Sequence, residues 1–205
     1  MKGGAPGISP AHPGRGTVPT RERIRLVKVS REGVVVWSKD IDGEYTGTFV
    51  PSSVSVREDG TVLLAHFETR ILAFSPEGEG LFDTKLLGNI EAPAAFSGSG
   101  ELYVGHAWGV SRLTPGGKEL WRVGPQVAPE DDLSIWANIA LVSGKRVVAA
   151  SRDGQVSGIG DNERLWSVAR GSLGSHDNRP QPDLIVGADG TIYTGSWTAQ
   201  LFAIR

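Results

Sequence analysis

Three of the four histidines fall where a ligand site is conceivable. His66 and His106 each follow a glycine by six residues, and His176 lies in a Ser-His-Asp run. Three imidazole rings are enough to bind a metal ion. However, no short ligand spacing such as His-x-x-x-His accompanies them, and adjacency in sequence is not the geometry of a catalytic triad. Hydrogen bonds to protein or water are the simpler use of such loop histidines, so we predict neither a metal site nor a catalytic residue.

Charged and aromatic residues accompany these histidines in the same or neighbouring predicted loops. Aromatic rings stack on sugars and peptides, while guanidinium and carboxylate groups bind charged or hydrogen-bonding ligands. Loops that leave a sheet on one side present such groups together. The expected ligand-binding set on this loop face is His66, His106, Trp108, Arg152, Asp153, His176, Asp177 and Trp197.

Composition and motifs exclude several classes of site. The 205 residues include no cysteine and carry a formal net charge of −2. Without cysteine there is no disulfide, thiolate metal site, iron–sulfur cluster or thiol nucleophile. The near-neutral charge gives no general attraction to nucleic acid. Dinucleotide-, phosphate- and calcium-binding motifs are missing, and no apolar run reaches the length of a transmembrane helix. We therefore expect no cofactor, no nucleic-acid partner and no membrane span.

Residues 1–21 differ from the rest of the chain. They are rich in glycine and proline, and the first acidic residue is Glu22. This composition predicts a disordered leader, followed by one folded domain over 22–205. The leader has no apolar run of signal-peptide type, so the sequence leaves the cellular location unknown.

An internal repeat is the main signal in the sequence. Three kinds of marker recur with spacings of 39–46 residues. The turn glycines are Gly60, Gly100, Gly144 and Gly190. The bulky aromatic residues are Trp37, Phe82, Trp121 and Trp166, and the apolar strand residues are Val29, Phe74, Leu113, Ile159 and Ile204. Such a period is typical of architectures in which one supersecondary unit is copied and stacked.

Each copy contains four short segments of β type separated by turns. The second segments are rich in β-branched and aromatic residues, and glycine or proline marks the turns between segments. No window of twelve residues has a convincing helical period, and the closest, 129–140, is interpreted as a loop that enters the first strand of its copy. The sequence therefore predicts an all-β protein: a β-propeller of four-stranded antiparallel blades with about four blades present. The repeated aromatic is expected to lie between neighbouring blades.

The number of strands leaves the closure of the propeller open. The first copy supplies two strands, the middle three supply four each, and the last supplies three, which makes 17. One alternative is an open arc of a larger propeller, and the other is a closed four-bladed ring. An arc would expose two sheet faces and favour self-association.

Two of the copies resemble the PQQ-like (pyrroloquinoline-quinone-type) propeller repeat. The stretch ADGTIYTGSWTAQLFAI (188–204) fits that repeat nearly throughout, and GSGELYVGHAWGVSRLTPGGKELW (98–121) fits well. The resemblance implies the propeller fold and, because this family is largely exported, a periplasmic or extracellular location, with the cytoplasm as the alternative. Quinoprotein dehydrogenases of the family are much longer and carry calcium ligands and a catalytic aspartate. The resemblance therefore implies the fold without the quinone cofactor.

Two functions remain in competition at this stage. The first is a non-catalytic binding or scaffold module that presents its loop face to a protein, peptide or glycan partner. It is favoured because no complete catalytic set is present in the sequence. The alternative is a polysaccharide-active hydrolase or lyase with a rim site of histidines and carboxylates acting as acid and base. The sequence therefore leaves enzymatic activity undecided and favours its absence.

Overall fold

A computed structural model describes residues 24–41, 53–66, 69–88, 90, 92–124, 136–143, 146–151, 155–169, 184–195 and 201–205. These residues form 17 β-strands and, within those ranges, no helix. The all-β class and the strand number expected from the sequence are therefore confirmed. The chain divides into two compact units, 1–49 and 50–205. The expected leader, 1–21, lies outside the described residues, and the single domain over 22–205 stays a prediction.

The first unit contains one antiparallel hairpin. Strand β1 (Ile24–Val29) pairs with β2 (Val35–Ile41), and the register shifts by a bulge between Lys28 and Val29. An ion pair joins Arg25 and Asp40 across the strands at 2.6 Å. The pair lies on an exposed face and strengthens the register only modestly. A two-stranded hairpin of this kind is marginally stable alone and needs apolar packing.

The second unit contains four antiparallel sheets, which we call blades 1 to 4 in chain order. Blades 1 to 3 have four strands each, in the order of the sequence, and blade 4 has three. Blade 1 comprises β3 (Ser53–Val56), β4 (Val62–His66), β5 (Arg70–Phe74) and β6 (Gly80–Lys85). Blade 2 comprises β7 (Ala95–Phe96), β8 (Leu102–His106), β9 (Gly109–Leu113) and β10 (Glu119–Val123). Blade 3 comprises β11 (Trp136–Ser143), β12 (Arg146–Ser151), β13 (Gln155–Gly160) and β14 (Glu163–Ala169), and blade 4 comprises β15 (Leu184–Val186), β16 (Ile192–Gly195) and β17 (Leu201–Ile204).

The segment 129–140 is strand in its last part. The sequence interpretation made it a loop that enters the first strand of its copy, and β11 begins at Trp136. The first strand of blade 3 therefore starts inside this segment. The sequence did not predict the start of the strand, because a short apolar run without strict alternation does not distinguish a buried strand from other structures.

One turn geometry recurs through the described chain. In six turns the residue that follows a strand donates its backbone N–H to the carbonyl four positions later, and a glycine donates back to that residue. The glycines Gly33, Gly60, Gly78, Gly100, Gly117 and Gly190 have φ between 80° and 90°. This left-handed conformation costs other residues about 1 kcal/mol or more, which explains why glycine marks the repeat. The predicted turn glycines are confirmed at positions 60, 100 and 190, while Gly144 lies outside the described residues.

Blades pack face to face through apolar side chains. Leu63 and Ile71 of blade 1 share a buried cluster with Leu113 of blade 2. The same arrangement joins Val110 of blade 2 to Ile159 of blade 3. We call the side of a blade that meets the next blade its forward face, and the side that meets the preceding blade its backward face. Each complete blade is thus apolar on both faces, as a propeller requires.

Two of the three aromatic markers in blades 1 to 3 lie at blade junctions. Phe82 packs against the cluster between blades 1 and 2, and Trp121 packs against the cluster between blades 2 and 3. Trp166 is 37% exposed and lies over Gly158 of its own blade, where a Cβ would come within 2.3 Å of the ring. The expected junction role therefore holds for Phe82 and Trp121.

Truncation of a junction residue should unfold the second unit at lower denaturant concentration. Leu113 is fully buried between blades 1 and 2. Leu113→Ala removes buried methyl groups and leaves a cavity, so we expect a loss of about 2–5 kcal/mol in the free energy of unfolding. Urea denaturation followed by tryptophan fluorescence measures the loss. Leu120→Ala, at an exposed leucine of the same blade, is the matched control and should change little.

Two glycines of one turn should respond to alanine in opposite ways. Gly100 has φ of 80°, whereas Gly98 is outside the positive-φ set and has open space around its Cβ position. We expect Gly100→Ala to destabilise the protein by about 1–2 kcal/mol. Gly98→Ala should be neutral or stabilise by up to about 1 kcal/mol, because it reduces the freedom of the unfolded chain. Equal effects in thermal denaturation would contradict this explanation of the repeat.

Candidate functional site

Only two of the residues proposed from the sequence have described side chains. His106 ends strand β8, and Trp108 lies in the turn that follows it. His66 ends strand β4, but only its backbone is described. The other proposed residues lie outside the described part of the chain: Arg152, Asp153, His176, Asp177 and Trp197. The expected meeting of three histidines on one face therefore stays a prediction.

His106 is a buried, hydrogen-bonded side chain. Its exposure is 0%, and its Nε2 lies 2.7 Å from Oγ of Ser111 on the neighbouring strand β9. Its Nδ1 accepts the backbone N–H of Trp108 at 3.2 Å. The ring therefore carries its proton on Nε2 and donates it to Ser111, whose hydroxyl donates to Oε1 of Glu119 at 2.6 Å. Both ring nitrogens are used within the protein.

Burial keeps the His106 ring neutral. Loss of solvation, together with a smaller contribution from the positive charge of Arg122, lowers the pKa of His106 to about 4. At neutral pH the ring is therefore an uncharged hydrogen-bonding group. Its contact with the backbone N–H of Trp108 fixes the turn between β8 and β9, so His106 positions Trp108 from inside the blade.

Trp108 borders a cleft of about 370 Å³ between blades 2 and 3. The blade 2 side is formed by the turn before β9 and the end of β10, and the blade 3 side by the turn between β13 and β14. The volume is in the range of small-molecule and peptide side-chain sites. The lining residues are Trp108, Arg122, Val123, Gly124, Asn162, Glu163 and Arg164.

Two glycines bring the blade 2 wall of the cleft together. A Cβ on Gly124 would lie 2.0 Å from the carbonyl oxygen of Trp108, and a Cβ on Gly109 would lie 2.2 Å from that of Val123. Only glycine permits these backbone contacts. They hold the turn that carries Trp108 directly beside the end of β10, which carries Arg122.

Arg122 and Trp108 form the cation–aromatic pair of the cleft. The guanidinium carbon of Arg122 lies 6.0 Å from the centre of a Trp108 ring, a distance at which the two attract. Arg122 is exposed, and within the described residues it makes no ion pair. A flat cation held over an aromatic ring, with hydrogen-bonding edges open to solvent, can bind a carboxylate in bidentate fashion.

A tight turn supplies the opposite wall. Asp161 and Asn162 both have positive φ, 51° and 70°, which is the conformation of a two-residue hairpin turn. Asn and Asp tolerate this conformation better than other non-glycine residues. The turn carries Glu163 and Arg164 into the cleft. The two arginines and one glutamate of the lining leave the cleft with an excess of positive charge.

The junction of blades 2 and 3 contains buried polar groups that sequence analysis missed. Arg112 pairs with Glu101 at 2.5 Å, with side-chain exposures of 8% and 16%. The Arg112 guanidinium also lies 5.9 Å from the centre of the Tyr103 ring, which meets Trp121 edge-on. Burial raises the pKa of the Tyr103 hydroxyl, which stays protonated at neutral pH. All four residues belong to blade 2, and Tyr103 and Trp121 pack in the cluster that this blade shares with blade 3.

Within the described ranges no three His, Asp or Glu side chains are grouped to hold a metal ion. No helix in that part of the chain has the length and apolar character needed to cross a lipid bilayer.

Comparison with solved structures supports the propeller fold. The structure is similar to BamB from Moraxella catarrhalis, with a TM-score of 0.65 and 17% identity over 91% of this chain and 64% of that one. It is also similar to the WD40 β-propeller domain of Doa1, with a TM-score of 0.62 and 16% identity over 92% of this chain and 60% of that one. At these identities the likeness concerns the fold alone, and this chain spans under two thirds of either structure.

The designed protein Ika4 gives a TM-score of 0.54 with 16% identity, over 78% of this chain and 93% of the designed one. No family model and no curated protein sequence matches this chain. The chain is thus a β-propeller, and its membership of the PQQ-like family is not established by these comparisons.

The protein should lose stability in acid through His106. The folded pKa of about 4 lies below the ordinary 6.5, so the unfolded chain binds the proton first as the pH falls. The stability contribution is complete above pH 6.5 and lost progressively down to pH 4, by about 3 kcal/mol in total. Urea denaturation across this window measures it. His106→Gln should flatten the dependence, and an unchanged slope would show that His106 is not the titrating group.

Proposed function

We propose that this protein is a non-catalytic β-propeller module that binds an acidic segment of a protein or peptide in the cleft beside Trp108. The single observation that supports this most is the exposed Arg122 stacked on Trp108 within a cleft of about 370 Å³. A glutamate or aspartate side chain of the partner would pair with Arg122. An apolar or aromatic neighbour of that residue would contact Trp108.

The chemistry of the cleft favours binding over catalysis. His106 precedes Trp108, which lines the cleft, by two residues. Both of its ring nitrogens are in internal hydrogen bonds, and the ring is neutral at physiological pH. General acid–base work needs a proton-transfer group that reaches the substrate. Glu163 is the only carboxylate of the lining, whereas glycoside hydrolysis of the usual kind needs two. The saccharide hydrolase or lyase considered from the sequence, and a glycan partner, stay predictions without support from this cleft.

We propose further that the blades are PQQ-like repeats. The support is the sequence of 188–204 and 98–121, together with turn glycines at the same place in blades 1, 2 and 4. On this proposal the chain belongs with the non-enzymatic members, because it has no cysteine and no complete catalytic set in its sequence. An exported location would follow from the same family, and it stays a prediction.

Binding should depend on the charge of the peptide and on Arg122. We expect a fluorescently labelled peptide of alternating Glu and Tyr to bind, and its Gln/Tyr counterpart to bind at least about tenfold more weakly, because a charge-assisted hydrogen bond is lost. Arg122→Gln should weaken binding of the acidic peptide by a similar factor. Fluorescence anisotropy at fixed salt concentration measures all three affinities.

Lys118→Gln is the matched control for this experiment. It removes the same charge from an exposed residue of blade 2 that is not among the lining residues of the cleft. Trp108→Leu keeps the charge and should weaken the binding of both peptides, because each contains tyrosine. Equal binding of both peptides, or an equal effect of the Lys118 and Arg122 substitutions, would refute the proposed site.

A further inference from the structure

The forward face of blade 2 carries a row of three polar side chains on neighbouring strands. Tyr103 on β8 pairs with Arg112 on β9, and Arg112 pairs with Trp121 on β10. The corresponding row of blade 1 is apolar and consists of Leu63, Ala73 and Phe82. The row in blade 2 is therefore a local departure from the apolar pattern of the repeat.

Each side chain of this row has a buried polar atom without a protein partner. Within the described part of the chain, the Tyr103 hydroxyl, Nε of Arg112 and Nε1 of Trp121 are buried and make no hydrogen bond to protein. Tyr103 is 0% exposed and Arg112 is 7% exposed, and the pair with Glu101 fixes the Arg112 guanidinium in place. Buried groups of this kind are costly unless something bonds to them, so three in one row point to a bound molecule.

The three groups are neighbours in space as well as in register. The guanidinium carbon of Arg112 lies 5.9 Å from the centre of the Tyr103 ring, and the centres of the Tyr103 and Trp121 rings are 6.0 Å apart. Tyr103 packs in one cluster with Val147 and Ile159 of blade 3, whose side chains have no hydrogen-bond acceptor. A molecule bound among these groups must therefore supply the acceptor atom itself.

The charges around the row favour a neutral molecule over an anion. Glu101 already pairs with Arg112. Burial contributes most to the raised pKa of the Tyr103 hydroxyl, while Arg112 lowers it and the carboxylates of Glu101 and Asp161 raise it. Two carboxylates thus act on this hydroxyl against one guanidinium, and an anion would add a buried negative charge without compensation. Water adds no charge and both accepts and donates hydrogen bonds.

We infer that this row binds one buried water molecule, which accepts hydrogen bonds from Arg112 and Trp121 and donates one to the Tyr103 hydroxyl. About three hydrogen bonds are usual for a buried water. The water links strands β8, β9 and β10 on the face that meets blade 3. Its site is distinct from the cleft beside Trp108, because none of the three residues is among the lining residues of that cleft.

Removal of the Tyr103 hydroxyl distinguishes a bound water from three groups without a partner. With the water, Tyr103→Phe deletes a hydrogen bond and should raise the equilibrium constant of unfolding by about fivefold or more. Without it, loss of a buried hydroxyl that bonds to nothing should leave stability unchanged or increase it. Urea denaturation of the full chain measures the constant. Tyr193→Phe, at the same register position of blade 4 but 38% exposed, is the matched control and should change little. A Tyr103→Phe variant as stable as the wild type would overturn the inference.

Nuclear magnetic resonance detects the water directly. In the wild-type chain with isotope-labelled tryptophan, the indole proton of Trp121 should show a nuclear Overhauser cross-peak to water with the sign of a long-lived bound molecule. Trp121→Phe identifies this signal, and the cross-peak should persist in Tyr103→Phe, where the hydroxyl proton of residue 103 can no longer relay it by exchange. The lack of a cross-peak at Trp121 would refute the bound water. A saturable shift of the Trp121 signal on titration with sodium chloride would do so too, because the ligand would then be an anion.

Discussion

The packing of one apolar sheet face on the next is the interaction on which the whole structure depends. A four-stranded sheet with two apolar faces cannot be stable alone, because burial of apolar area supplies most of the favourable free energy of folding. Leu113, Ile159 and Ile204 satisfy this need at successive junctions. The turns, the register and the loops follow from it, since each strand must present alternate side chains to two different neighbours.

The cleft beside Trp108 is a product of the same packing. Its two walls belong to different blades, and they come together because blades 2 and 3 share an apolar cluster. His106 contributes from within blade 2 by holding the turn of Trp108 through a backbone hydrogen bond. Rigid elements thus position an exposed aromatic ring and a cation without any loop closing over them.

Much of the fold could be predicted from the sequence, because its determinants are local and repeated. Gly60, Gly100 and Gly190 mark turns that only glycine adopts easily, and the alternation of apolar residues gives the strands. The start of β11 was harder, since it has no such marker. The candidate site could be predicted from the sequence only in part. Trp108 could be selected by residue type. Arg122 meets it within blade 2, through the close approach at Gly109 and Gly124. Glu163 and Arg164 meet it only through packing between blades, which the repeat alignment does not encode. The Ser111 hydroxyl next to His106 was the one available signal that this histidine is internal.

Arg112 has a consequence for the order in which the blades assemble. At the same register position blades 1, 3 and 4 have Ala73, Gly158 and Ala203, so their forward faces are chemically alike. Repeat proteins with interchangeable units are prone to docking the wrong neighbours while they fold. Arg112 and Glu101 both belong to blade 2, so their buried ion pair forms within that blade whichever blade lies beside it. A buried charge pair is tolerated only where its surroundings keep it paired and hydrogen-bonded. This one position therefore makes the forward face of blade 2 different from those of the other blades, and the blade that covers it must accommodate a guanidinium as well as apolar side chains.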